Sequence, residues 1–238
     1  MCDRAMTPAA LQLVHHLCER PTFYGQRFIC AVWLDVRSRA PHLQGMKIAL
    51  LGWGSLLWDP RDLQLATPFQ LTGPRLPIEF CRVSKNHRLT LIIDEDFGIL
   101  CRTYAGTSAC TELDAAVENL RLREGMSSAT DVGFIEIAAQ ERSRTATERH
   151  PHAVETIADW AVNSGYDAAI WTALDSHFEG QTKEPFSVNA AMRFLENLEQ
   201  HDPEAFARAL DYIRRAPAAT QTPVRDATVA QWPEHTEL

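Results

Sequence analysis

A glycine-rich segment, Trp53-Gly54-Ser55-Leu56, is the first part of the chain whose residue types suggest chemistry. It follows an apolar run at 48–51, which predicts a short buried strand. Gly54 and the glycine two positions before it allow positive φ and a close approach of a ligand to main-chain N–H groups. The segment therefore predicts a loop that binds a carboxylate or phosphate, and a purely structural turn fits the same pattern.

Glu124 is the second residue with a chemical signal. Leu113, Ala116, Val117 and Leu120 form an apolar stripe at helical spacing, and the next position on that stripe is Glu124. A carboxylate there is costly unless it is paired or protonated, and the dipole at a helix C-terminus adds to the cost. Both effects favour taking up a proton, which predicts a general acid or base. A frayed last turn, with Glu124 in water, fits the pattern equally well.

Arg82 is a third candidate, because it follows Phe80 in the alternation of a predicted strand and could face inward. There it could pair with a substrate carboxylate or with a structural acid. The six cysteines and nine histidines show no spacing that is typical of a metal site. We therefore predict no metal centre.

The elements that must position these residues form an α+β pattern. Alternating apolar residues at 76–80, 89–93 and 99–103 predict three consecutive strands in a meander. Apolar residues on the second face, at Ile92 and Leu100, predict that this face is also covered, as in a barrel. The other predicted elements are strands at 131–139 and 166–174 and helices at 111–124, 151–163, 187–200 and 202–215. The expected fold is thus a mixed, largely antiparallel, barrel-like sheet packed with helices.

These elements divide the chain into three parts. Residues 1–45 are predicted to be an N-terminal extension, because Met46 directly precedes the first convincing strand. Residues 46–185 are predicted to form the main domain. Residues 186–238 supply C-terminal helices and a tail that pack on the same domain, with the last segment, rich in Pro, Thr and Ala, expected to be loosely ordered.

Composition limits the classes of partner. The 238 residues carry a net charge of −8, which argues against nucleic acid or an anionic membrane as the main partner. No run approaches the length of a membrane-spanning helix. Sparse cysteines and the lack of a secretory signal favour a cytoplasmic location.

Two segments together resemble a known family. The segment from Gly52 to Pro60 resembles the Tyr-Gly-Ser-Leu/Asn loop that follows the first strand in γ-glutamylcyclotransferase-like proteins. Its extended form is most similar to the glutathione-directed ChaC branch and related bacterial proteins. Arg123-Glu124-Gly125 resembles the segment that carries the catalytic glutamate of this family, and the resemblance covers residues 46–174.

The resemblance implies a fold and a reaction. The α-amine of a γ-glutamyl amide or peptide attacks its own γ-carbonyl, which closes 5-oxoproline and releases the amine. Glu124 would deprotonate the α-ammonium and then protonate the leaving amine, while the loop Trp53 to Leu56 holds the anionic end. This implied carbon–nitrogen lyase needs no metal or organic cofactor, and its partner is a small γ-glutamyl molecule.

The sequence is also consistent with three other functions. A non-catalytic module that binds a carboxylate on the same fold is one, because Trp53 stands where the family has tyrosine and 126–132 contains none. A lyase for a γ-glutamyl amine other than glutathione is another. The helices after Ser187 could instead bind a protein partner. The sequence does not indicate the oligomeric state.

Overall fold

The computed structural model describes residues 45–233 and shows an α+β fold with mixed sheets. The strands are β1 (Ile48–Gly52), β2 (Leu65–Gln70), β3 (Arg75–Val83), β4 (Leu89–Ile93), β5 (Ile99–Arg102), β6 (Tyr104–Ser108), β7 (Val132–Glu136), β8 (Glu141–Arg142) and β9 (Ala168–Thr172). The helices are α1 (Leu113–Glu124), α2 (Arg144–Arg149), α3 (Pro151–Asn163), α4 (Phe178–Thr182), α5 (Val188–His201), α6 (Pro203–Arg215) and α7 (Pro223–Gln231).

Strand β1 lies inside a six-stranded sheet with the order β2-β6-β1-β9-β7-β8. It pairs antiparallel with β6 and parallel with β9. All five of its residues are buried, as the apolar run predicts. Ile48 and Leu50 belong to one core cluster, and Ala49 and Leu51 belong to the other, because successive side chains of a strand point to opposite faces.

Strands β3, β4 and β5 form a separate sheet with the order β4-β3-β5. The three strands are found where the alternation predicts them, but the predicted meander is wrong. β4 pairs with β3 from Ile78 to Val83, and β5 pairs with β3 from Arg75 to Ile78. Strand β3, which has nine residues, is the central strand and pairs with both neighbours, so β5 does not pair with β4.

The two sheets do not close into a barrel within residues 45–233, which corrects the barrel-like expectation. That expectation required the second face of the meander to be covered at Ile92 and Leu100. Ile92 is buried, but Leu100 lies on β5 and is 64 % exposed. Helices on the faces of open sheets therefore complete the core.

The C-terminal helices begin where the sequence predicts. The Ser187 hydroxyl accepts a hydrogen bond from Ala190 N–H at 3.1 Å, and the Asp202 carboxylate accepts one from Ala205 N–H at 2.9 Å. The expected loosely ordered tail is instead helix α7 up to Gln231, and Thr222 caps it. These helices contact the β3–β4 sheet, with α6 against β4 and α7 against β3.

Predictions for residues 1–44 and 234–238 concern parts of the chain outside the described residues. Among the helices of residues 45–233, none is both long enough and apolar enough to cross a membrane.

A buried carboxyl on β3 gives the fold a predicted pH dependence. Glu79 is 1 % exposed and accepts hydrogen bonds from Phe80 N–H at 2.6 Å and from Val224 N–H, at the start of α7, at 3.4 Å. Burial raises the pKa of Glu79 above its usual 4.5, against the weaker opposing effect of these hydrogen bonds and of Thr222. The stability that Glu79 contributes is therefore complete below about pH 4.5 and is lost as the pH rises through the raised pKa.

We expect Glu79→Gln to gain stability relative to the wild type as the pH rises above about 4.5. The gain is about 1.4 kcal/mol for each pH unit between the folded and unfolded pKa values. Urea unfolding between pH 4 and pH 8 measures it. Glu141→Gln on the exposed strand β8 is the matched control. A difference between Glu79→Gln and wild type that stays constant over this range would contradict the assignment.

Candidate active site

One cavity of about 340 Å³ brings together all six residues that the sequence singles out. They are Trp53, Gly54, Ser55 and Leu56 of the loop after β1, Arg82 at the end of β3, and Glu124 at the end of α1. Further lining comes from the β3–β4 turn, from the chain after α1 and from Tyr212 on α6. Loop and glutamate therefore lie on the same side of the domain.

The loop after β1 turns into a short 3₁₀ helix at Ser55–Leu57. The positive φ predicted for its glycines is not found, since the only glycines with positive φ in the described chain are Gly125 and Gly165. Gly54 has a φ of −135° and is required for space, because a Cβ atom there would lie 2.9 Å from the Tyr212 hydroxyl. A close approach, and not a left-handed conformation, explains this glycine.

Main-chain groups of the loop, more than its large side chains, are free to act in the cavity. The Trp53 indole is buried and donates a hydrogen bond to Leu91 O at 3.4 Å, and the Leu56 side chain lies in the core beneath α1. No acceptor within residues 45–233 takes the N–H groups of Gly54 and Leu56. Two N–H donors are thus left for an anionic atom.

Helix α1 ends at Glu124, as predicted, and Gly125 closes it in the left-handed conformation. It begins two residues later than predicted, at Leu113, with Glu112 as the N-cap. The apolar stripe of α1 also continues differently from the prediction, which placed Glu124 on it. The buried residue of the last turn is Arg123, whose side chain is 3 % exposed, while that of Glu124 is 20 % exposed.

Arg123 links the loop to Glu124. Its guanidinium lies 2.5 Å from Glu124 Oε1, contacts Ser55 Oγ at 3.4 Å, and donates to Asp59 O. The ion pair holds the glutamate carboxylate beside the loop. Sequence reasoning passed over Arg123, although the +3 step from Leu120 places it on the same stripe.

Three cations line the part of the cavity wall that β3 and the turn before β4 form. Arg82, Lys85 and Arg88 make no ion pair with any residue in 45–233, and the Nε atoms of both arginines are buried without a hydrogen-bond partner. Burial lowers the pKa of Arg82, and the nearby acids Asp131 and Glu124 oppose this effect. Unpaired buried donors are costly, so this wall is suited to an anionic ligand.

The acids of the cavity are already neutralised. Glu124 pairs with Arg123, and Asp131 pairs with Arg149 at 3.1 Å. The hairpin cations therefore leave the cavity with positive charge, although the whole chain carries −8. Such a local excess attracts carboxylates and phosphates.

Tyr212 was missed by the sequence reasoning, because it belongs to a helix far along the chain from the loop. Its phenol lies over Gly54, next to the Ser55 hydroxyl and main chain. Burial raises the pKa of this phenol, so it stays neutral. The apolar stripe of α6 predicts that Tyr212 is buried, but it does not predict what the hydroxyl meets.

No group of three or more His, Cys, Asp or Glu side chains in the described part of the chain is arranged to hold a metal ion. No family model, curated protein or solved structure matches this chain. The function is therefore argued from the cavity itself.

Proposed function

We propose that this protein is a γ-glutamylcyclotransferase-like enzyme, with the corresponding fold, that converts a γ-glutamyl amide or peptide into 5-oxoproline and a free amine. One observation carries the proposal: a single cavity holds a carboxylate, two free main-chain donors and unpaired arginines. These are the groups needed by a ligand with an ammonium, a carboxylate and a carbonyl that becomes an oxyanion.

Glu124 is the base of the proposed reaction. The guanidinium of Arg123 holds its side chain, which is 20 % exposed and lines the cavity. It takes a proton from the α-ammonium, and the freed amine attacks the γ-carbonyl of the same molecule to close a five-membered ring. The protonated Glu124 then gives that proton to the leaving nitrogen as the carbon–nitrogen bond breaks. The second proton of the ring nitrogen passes to the released amine, so that the products are a lactam N–H and an ammonium.

Main-chain donors stabilise the intermediate. The N–H groups of Gly54 and Leu56 have no acceptor in the described chain, and in the proposed reaction they bind the carbonyl oxygen as negative charge develops on it. Because these donors belong to a rigid turn after a buried strand, they need no rearrangement during the reaction. The loop acts through its backbone, so Trp53 and Leu56 serve as its anchors in the core.

The arginines on the hairpin hold the carboxylate end of the ligand. Arg82 and Arg88 have buried Nε donors without partners, and a carboxylate accepts such donors in a bidentate fashion. Binding of the ligand carboxylate to these arginines leaves its α-ammonium and γ-carbonyl for Glu124 and the loop donors, which line the same cavity. That placement suits a folded γ-glutamyl chain, whose amine must reach both its own carbonyl and the base.

The same cavity also favours a second candidate, a non-catalytic module that binds carboxylates. The specific observation is the Arg123–Glu124 ion pair. In a binding module, the role of this glutamate would be to orient Arg123 and, through it, Ser55. The unpaired hairpin cations would bind an anion in either case. Turnover separates the two candidates.

We expect the purified protein to release 5-oxoproline from γ-glutamyl dipeptides or glutathione, measured by chromatography of the products. The matched control is an α-glutamyl dipeptide of the same composition, which lacks the γ-amide and should give none. A panel of γ-glutamyl amines whose amine part carries no carboxylate tests the alternative lyase. Thermal stabilisation by the γ-glutamyl compounds without any product would overturn the enzyme and favour the binding module.

A further inference from the structure

Tyr212 reaches the cavity from α6, which follows the loop and α1 in the chain and packs against β4. It is the only residue of the C-terminal helices that lines this cavity in the described chain. We propose that Tyr212 is a positioning residue of the active site, whose hydroxyl holds the Gly54–Ser55 main chain and whose ring holds Arg88. The kinetic part of this inference depends on the proposed function, and the structural part does not.

The hydroxyl contact is close and specific. A Cβ atom at Gly54 would lie 2.9 Å from the Tyr212 oxygen, so the phenol rests directly on the loop backbone. The Ser55 hydroxyl and main chain both lie close enough to this oxygen to lower the pKa of the phenol, against the larger effect of burial. A phenol that accepts the Ser55 N–H fixes the peptide orientation and leaves the neighbouring donors of Gly54 and Leu56 for the ligand.

The ring contact explains how Arg88 remains in place without an ion pair. The Arg88 guanidinium carbon lies 5.2 Å from the centroid of the Tyr212 ring. Trp58 and Phe80 meet the ring edge-on, at centroid distances of 5.5 Å and 6.2 Å, and hold its plane. The ring thus stands between the core and a guanidinium that lines the cavity.

Tyr212 also lies between two cavities. Together with Ser55 and Arg88 it lines a second cavity of about 340 Å³, whose other walls include Trp58 and Arg215. The three shared residues therefore separate the reacting space from a neighbouring one. A side chain that only filled the core would have neither its hydroxyl on the loop nor a cation on its face.

Two substitutions separate the roles of hydroxyl and ring. Tyr212→Phe keeps the ring, so we expect kcat to fall about tenfold with KM within about twofold, because the loop donors act on the transition state. Tyr212→Leu also releases Arg88, so we expect KM to rise about tenfold in addition. Ile213→Val, at a buried position on α6 that lines neither cavity, is the matched control and should leave both constants unchanged.

Hydrogen exchange of the Ser55 amide provides a readout that needs no substrate. We expect its protection to fall about tenfold in Tyr212→Phe and to stay unchanged in Ile213→Val. Unchanged Ser55 protection in Tyr212→Phe would overturn the inference, whatever the kinetics. If the wild type shows no turnover but Ser55 protection falls, the proposed function fails and Tyr212 stands as the residue that positions the loop.

Discussion

Glu124→Gln is expected to lower 5-oxoproline formation by about 10³-fold, the loss typical of removing a general acid–base group. Glutamine keeps the size and shape of the side chain but cannot accept the proton of the α-ammonium. It can still accept a hydrogen bond from Arg123, which lies 2.5 Å from the glutamate oxygen. KM is therefore expected to change little, because Arg82 and Arg88 continue to hold the carboxylate of the substrate.

Glu118→Gln is the matched control for this experiment. Glu118 lies on the same helix, is 51 % exposed and pairs with Arg121 away from the cavity. Its substitution removes one carboxylate and one ion pair from α1 and should leave turnover unchanged. Normal turnover in Glu124→Gln would exclude Glu124 as the base, and equal losses in both variants would indicate damage to the helix.

The parts of the fold that short-range chemistry determines could be predicted. The buried strand β1, the left-handed Gly125 after α1 and the caps at Ser187 and Asp202 all stand where the sequence places them. Each depends on residues within one or two turns of the chain. Thr222-Pro223 carries the same cap signal at the start of α7, and only the composition of the tail argued against a helix there.

Pairings between distant residues could not be predicted in the same way. Apolar alternation identifies β5, but it contains no information on whether β5 pairs with β4 or with β3. In the structure, β5 pairs with the N-terminal part of β3, from Arg75 to Ile78, and β4 pairs with β3 from Ile78 onward. The contact of Tyr212 with Gly54 has the same origin, since the fold alone brings α6 over the loop.

The candidate site was largely visible in the sequence, but its electrostatics were not. A period of 3.6 residues places both the +3 and the +4 step from Leu120 near the core, so periodicity cannot choose between Arg123 and Glu124. The structure buries the arginine and leaves the glutamate at the edge of the cavity. The carboxylate expected on the stripe is thus paired with an adjacent cation.

That ion pair leads to the second large effect, which concerns Arg123→Met. Methionine fills much of the same buried space but removes the contacts to Glu124, Ser55 Oγ and Asp59 O. We expect kcat/KM to fall about 10²-fold, since both the base and the loop lose their alignment.

Arg144→Met is the matched control, because Arg144 pairs with Glu148 on the surface of α2 and is 90 % exposed. It loses one guanidinium and one ion pair without touching the cavity. The double variant Arg123→Met/Glu124→Gln decides the role of Arg123. Losses of kcat/KM that multiply would restrict Arg123 to holding the loop, whereas a double variant no slower than Glu124→Gln alone requires that Arg123 acts through the carboxylate that it contacts. Only the second result makes Arg123 and Glu124 a single working unit of the active site.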